Sequence, residues 1–93
     1  MEVEIGRVTH YYNHLHVAVL KLTEPLEVGD LIHIQGHSTD FMQKVTSLQI
    51  DYHNVVGVNP GDDVALMVIE PVREHDVIYR VPEEEFEPNP VSP

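Results

Sequence analysis

Along this chain apolar side chains alternate with polar ones, and no long stretch repeats them at helical spacing. Alternation puts successive side chains on opposite faces of an extended backbone, so strands are expected throughout. The first runs from Glu4 to Tyr12 and the second from Leu15 to Thr23, joined by a short turn near Asn13. Pro25 has no backbone donor and stops regular pairing. Val28-Gly29-Asp30 predicts a turn, because glycine reaches positive φ without strain and aspartate can bond the neighbouring backbone. Leu31, Ile32 and Ile34 carry the third strand, and Gly36-His37-Ser38-Thr39-Asp40 predicts another polar turn. A long strand is expected from Phe41 to His53; its alternation slips once between Val45 and Leu48, which predicts a β-bulge. Asn59-Pro60-Gly61-Asp62 is the strongest turn signal in the chain. Val64, Leu66 and Val68 then alternate with Ala65, Met67 and Ile69, so both faces of this strand are apolar. Such a strand is covered on both sides, or on one side by a partner. Pro71 closes it, and Asp76 to Val81 forms the last strand, with Val77, Tyr79 and Val81 on one face.

About six strands, separated by turns roughly every 8–12 residues, describe a small barrel or sandwich. A single all-β domain over residues 1–81 is therefore expected. The remaining PEEEFEPNPVSP, residues 82–93, is acidic and proline-rich and has little to bury, which predicts a disordered tail. The chain has no cysteine, so neither disulfide nor thiolate chemistry supports it. The N-terminus has no apolar run behind a basic start, and the apolar run ending at Ile69 is far short of the ~20 residues of a membrane span. A cytoplasmic protein with no membrane partner is the resulting expectation.

Charge narrows the choice of partner. Asp and Glu number 16 against five Lys and Arg, a net charge of −11. The tail carries Glu83, Glu84, Glu85 and Glu87, so the body remains acidic without it. Phosphate backbones select positive surfaces, so tight non-specific nucleic-acid binding is disfavoured, while a local contact from Arg7, Lys21, Lys44, Arg73 and Arg80 stays open. An acidic surface favours solubility or a basic partner.

Four segments, in order, resemble the second-domain β-barrel of translation elongation factors: Leu26 to Ile34 with its Val28-Gly29-Asp30, Lys44 to Ile50, Pro60 to Leu66, and Val72 to Tyr79, the last shortened and without a glycine. Ile5-Gly6-Arg7-Val8-Thr9-His10-Tyr11-Tyr12 and Gly36 to Phe41 (GHSTDF) resemble a group of short, stand-alone translation-factor-like proteins. Similar barrels end some collagenase-like peptidases that act in RNA modification. The resemblance covers roughly residues 5–81 and implies a six-stranded, closed Greek-key barrel of the translation-factor domain 2 type. In elongation factors that barrel holds the terminal adenosine of aminoacyl-tRNA, partly through a glutamate. Gln49 stands at that position, and a glutamine can still bond an adenine edge. The acidic-aromatic segment that completes the pocket there has no counterpart.

Nucleotide hydrolysis is not expected. A GxxxxGK[ST] loop, whose amides and lysine cradle phosphates, is absent, as is GxGxxG; the five glycines match neither spacing. Asp62 and Asp63 then read as turn residues, and no cofactor is implied. Ser38, Ser47 and Ser92 are the only serines, and none lies in a strand-to-helix elbow, so no catalytic residue is assigned.

Seven histidines are many for 93 residues. Zinc needs three or four converging ligands. The pairs His10–His14 and His33–His37 fit metal spacing loosely, so polar strand residues are expected and no metal is assigned. Tyr11 and Tyr12 are adjacent, so one faces inward and one outward, where a ring near Phe41 or His37 could stack a base or a side chain.

These features read as a binding module without catalysis, associated with translation or RNA modification and docking on RNA, a ribosomal surface or a protein. Arg7, Tyr12, Phe41, Lys44 and Gln49 are the candidate contact residues. The alternatives are a purely protein-contacting or homodimeric domain using an apolar face such as Val17 and Val19, and a histidine-based metal- or pH-responsive accessory domain. A basic stripe, an apolar patch and three converging histidines, respectively, would distinguish them.

Overall fold

The computed structural model describes residues 1–83, and its elements are ten strands. These are β1 (Val3–Tyr12), β2 (Val17–Leu22), β3 (Leu26–Glu27), β4 (Leu31–Gln35), β5 (Asp40–Lys44), β6 (Leu48–Ile50), β7 (His53–Val55), β8 (Gly57–Val58), β9 (Val64–Met67) and β10 (Val77–Arg80). The expected acidic tail lies outside the described residues, apart from Pro82 and Glu83.

Eight strands form one antiparallel sheet in the order β5-β4-β10-β1-β2-β9-β6-β7, and β3 and β8 form a separate ribbon. One face of the sheet is apolar at every strand from β5 to β6. Ile32, Ile34, Phe41, Ile78, Ile5, Val8, Leu20, Leu66 and Leu48 all join a single core cluster, to which the ribbon adds Leu26 and Val58. Side chains from strands so far apart in the sheet order can meet only if the sheet curls strongly around them. β1, the longest strand, carries two register irregularities, between Glu4 and Gly6 and between Val8 and His10, and such bulges bend a strand.

The all-β expectation holds, but the closed six-stranded barrel does not. The sheet is open, ending at β5 and β7. The difference arises in the segment expected to be one strand from Phe41 to His53, which is β5, β6 and β7. Val45, where a bulge was expected, turns both backbone groups toward the preceding turn: its N–H donates to Asp30 O and its C=O accepts from Gly29 N, each at 2.8 Å. That diverts the chain, and β5 and β6 end up near opposite ends of the sheet order. The last strand also differs from expectation. Ile78 faces the core while Val77 and Tyr79 are half-covered on the other side, and Val81 turns inward only beyond the strand end.

Three turns share one device. Asp30, Asp62 and Asp76 each accept, through a carboxylate oxygen, the N–H of the residue three positions earlier (Glu27, Asn59 and Arg73, at 2.8–2.9 Å). Each also donates its own N–H to that residue's carbonyl at 3.1 Å. The residue before each aspartate is left-handed. Gly29 and Gly61 occupy that place at φ 98° and 95°, but the third turn has His75 at φ 78°. A side chain there is strained, at a cost on the order of 1 kcal/mol. His75→Gly is expected to stabilise the fold by about 0.5–1 kcal/mol, raising the Tm by a few degrees in a thermal melt.

Candidate functional site

The outer face of the sheet is built by the side chains that alternate with the core. On β2 these are Val17 and Val19, on β9 Ala65 and Met67, and on β6 Gln49. The register aligns Val19 with Ala65 and Ala65 with Gln49, so one cross-strand row reads Val19-Ala65-Gln49. Alanine is the shortest of the three, and its position leaves a depression between its neighbours. Gln49 is oriented by Asn54, whose side-chain oxygen accepts its amide proton at 2.9 Å.

Two connections wall the depression. The loop from β1 to β2 carries exposed Leu15 and reverses through His16 at φ 57°. The hairpin from β6 to β7 reverses through only Asp51 and Tyr52, at φ 50° and 65°. A two-residue turn with both central residues left-handed matches strand twist, but it normally takes Asn-Gly or Asp-Gly. A tyrosine there is strained, and its ring is not recovered by the core: Tyr52 is 96% exposed. The result is an open groove of about 390 Å³ lined by Tyr12, Leu15, Val17, Val19, Tyr52 and Ala65, with Gln49, Asp51 and Asp63 as its polar members. Val64 also lines it. Met67 and Ile69, both exposed, extend the apolar surface along β9 and the residues after it. On the outer face of this strand, expected to need a cover, Ala65 is half-buried and Met67 exposed among the described residues.

The five residues singled out in the sequence scatter. Tyr12 and Gln49 line the groove together. Arg7 is on the same long strand as Tyr12, paired with Lys21 and Val77, and does not line it. Lys44 ends β5 and forms an ion pair with Glu83 at 2.6 Å. Phe41 is packed in the core at 8% exposure, so its ring cannot stack a base. Of the adjacent tyrosines, Tyr11 packs against the core and Tyr12 is exposed, its ring meeting that of His10 edge-on at 4.3 Å. Leu15, Asp51, Tyr52, Asp63 and Ala65 were missed. Asp51-Tyr52 carries no glycine or asparagine to mark a reversal, so the single long strand absorbed it.

The histidines do not converge: among the described residues no group of three or more His, Asp or Glu could hold a metal. His33, on the outer face of β4, is instead clamped between carboxylates, Nδ1 to Glu2 Oε1 at 2.7 Å and Nε2 to Asp40 Oδ1 at 2.5 Å. Burial alone would lower its pKa, but the hydrogen bonds and charges of Asp40 and Glu2 together outweigh it and the pKa is raised. A raised pKa stabilises the fold fully below the ordinary value of about 6.5, and that contribution is lost as pH rises through the folded-state pKa. Asp40→Asn is expected to cost stability at pH 5.5 and much less at pH 8.5, read as the difference between paired urea titrations; an equal cost at both would refute the clamp.

No family model matches the chain. An uncharacterised protease of Methanocaldococcus jannaschii is 35% identical over 83 residues, 88% of this chain. The chain spans 20% of that relative's length. The C-terminal domain of a Geobacillus thermoleovorans protein assigned to the U32 peptidases superposes with a TM-score of 0.79 at 17% identity, covering 87% of this chain and 93% of that domain. The chain shares the fold of that C-terminal domain. The selenomethionine form of the same domain superposes with a TM-score of 0.76, also at 17% identity, over 81% of this chain and 95% of that one. Of the two resemblances read from the sequence, these relatives speak for the peptidase one; none of the three is a translation factor. Among the described residues no helix is long and apolar enough to cross a membrane.

Proposed function

We propose that this chain is a non-catalytic binding module, an accessory domain of the kind that forms the C-terminal part of U32 peptidases, and that it docks on a protein. The observation that carries this reading is the groove: apolar, walled by two exposed tyrosines, and without a lysine or arginine in its lining. Phosphate backbones are held by cations. Arg7 and Lys44 sit elsewhere, and Lys44 is already paired with Glu83. An apolar surface with aromatic anchors is what the centre of a protein interface requires.

The non-catalytic part of the reading rests on what the groove offers chemistry. Its lining includes no serine, histidine or lysine, and its two aspartates are both exposed.

A photo-crosslinking amino acid in place of Tyr52, activated in a lysate of the source cell, tests the reading. The expected product is a protein adduct that survives nuclease and disappears when Ala65→Arg fills the groove floor. An RNA adduct would return the module to nucleic-acid binding, and an adduct indifferent to Ala65→Arg would remove the groove from the interface. Incubation of the pure chain with denatured casein is expected to release no peptides.

A further inference from the structure

Resting on that reading, we propose the chemistry of the partner: the groove takes an apolar side chain carried on a basic polypeptide segment. Three observations converge. The floor is shortened at Ala65 between Val19 and Gln49, so the depression is shaped for a side chain rather than for a flat sheet. Its volume, about 390 Å³, accommodates a leucine or phenylalanine with adjoining backbone. Every charged residue in the lining is acidic: Asp51 stands beside Tyr52 in the hairpin and Asp63 follows the Asn59–Asp62 turn.

The rim therefore selects positive charge next to the inserted side chain. Tyr12 and Tyr52 add ring faces on which a lysine or arginine can rest. A second copy of this chain fits poorly, because it carries the same net charge of −11 and would meet an acidic rim with its own. Tyr52 bears the arrangement out energetically. The left-handed backbone closes the hairpin, but the tyrosine ring stands in water and returns nothing for its strain in the isolated fold, whereas a ligand against that ring would.

The probes are three pentapeptides, KLFLK, ELFLE and KSSSK, titrated into the isotopically labelled chain at low salt while amide shifts are followed by NMR. KLFLK is expected to move the amides of Val19, Gln49, Tyr52 and Ala65 in a saturable way, and ELFLE to bind about three- to tenfold more weakly, since two exposed ion pairs supply no more. KSSSK is expected to give no saturable shift. Ala65→Arg should abolish the KLFLK shifts while leaving the spectrum dispersed. Neutralising the rim with Asp51→Asn and Asp63→Asn, which keeps a residue type tolerant of positive φ in the hairpin, should bring KLFLK and ELFLE to equal affinity. Equal binding of the two peptides to the unaltered chain, or no shifts at the groove, overturns the proposal. A protein adduct at position 52 together with indifference to all three peptides would leave the binding module standing and remove only the basic segment.

Discussion

Gln43→Leu is expected to destabilise the fold by about 2–3 kcal/mol, read as a lower urea midpoint. Gln43 points from β5 into the core at 6% exposure. Its amide nitrogen donates to Met67 O at 2.9 Å and to Lys44 O at 3.3 Å, and its side-chain oxygen accepts the Ile69 N–H at 2.8 Å. One side chain thus bonds backbone groups at and just past the end of β9 as a neighbouring strand would. It stands where the curled sheet brings β5 toward the far end of β9 without a backbone ladder between them. Leucine has nearly the same size, so little packing is lost. The cost comes from leaving an N–H and a C=O without their partner, at roughly 1–3 kcal/mol for each group that water does not reach. The exposure of the Met67 and Ile69 side chains moderates that sum. Gln43→Glu separates the donor from the acceptor role. At neutral pH the carboxylate can still accept from Ile69 but faces the Met67 carbonyl with a second oxygen. Much of the loss should be recovered as pH falls through the ordinary carboxyl range of about 4.3, where a proton restores the donor. Loss of equal size at pH 4 and pH 7 would show that restoring the donor recovers nothing, and no loss at either pH would show that the side chain acts by packing alone.

The second large effect is expected at Asp76. It is buried at 4% exposure, accepts the Arg73 N–H at 2.8 Å and closes the turn that docks on β1 through Val8 N–H to Asp76 O and His75 N–H to Val8 O. Its carboxylate lies against the backbone of Gly36, where an added Cβ would fall 1.8 Å from Oδ1. Asp76→Ala is therefore expected to cost about 2–3 kcal/mol, and Asp76→Asn, which keeps an accepting oxygen, about 1 kcal/mol. Gly36→Ala should cost a similar amount through the clash. The discriminating measurement is the double mutant. With the carboxylate gone the alanine methyl has room, so Gly36→Ala with Asp76→Ala should cost clearly less than the two singles together. Strict additivity would mean that Gly36 is required for some other reason.

Gly36 and Asp76 also show what kind of information a sequence withholds. The turns at Gly29 and Gly61 were legible because glycine followed by aspartate states its own backbone geometry, and the structure places both glycines in the left-handed region. Asp76 completes a third turn of the same design, but with His75 in place of glycine the local signal is missing. Gly36 was read as a turn glycine, yet its need is for close approach by a residue forty positions away. The candidate site divides similarly. Tyr12 and the apolar outer positions Val17 and Val19 could be picked from alternation, and Gln49 from the resemblance, whereas Phe41, of the same residue class as any stacking aromatic, belongs to the core.

Local pattern was enough to establish an all-β chain, the places of most strands, the main reversals, the acidic character and the unmatched outer face of the strand ending near Met67. These depend on alternation and on residues whose backbone preferences act within a few positions. The tertiary structure alone decided that the segment after Phe41 breaks into three strands, because the backbone bonds of Val45 are taken by Gly29 and Asp30. It decided that the sheet curls without a closing ladder, and that Ala65 lies between Val19 and Gln49 beneath an exposed Tyr52. Each of those outcomes is a pairing between segments distant in the chain. Alternation specifies which side chains share a face, but it carries no term for which strand comes to lie beside which.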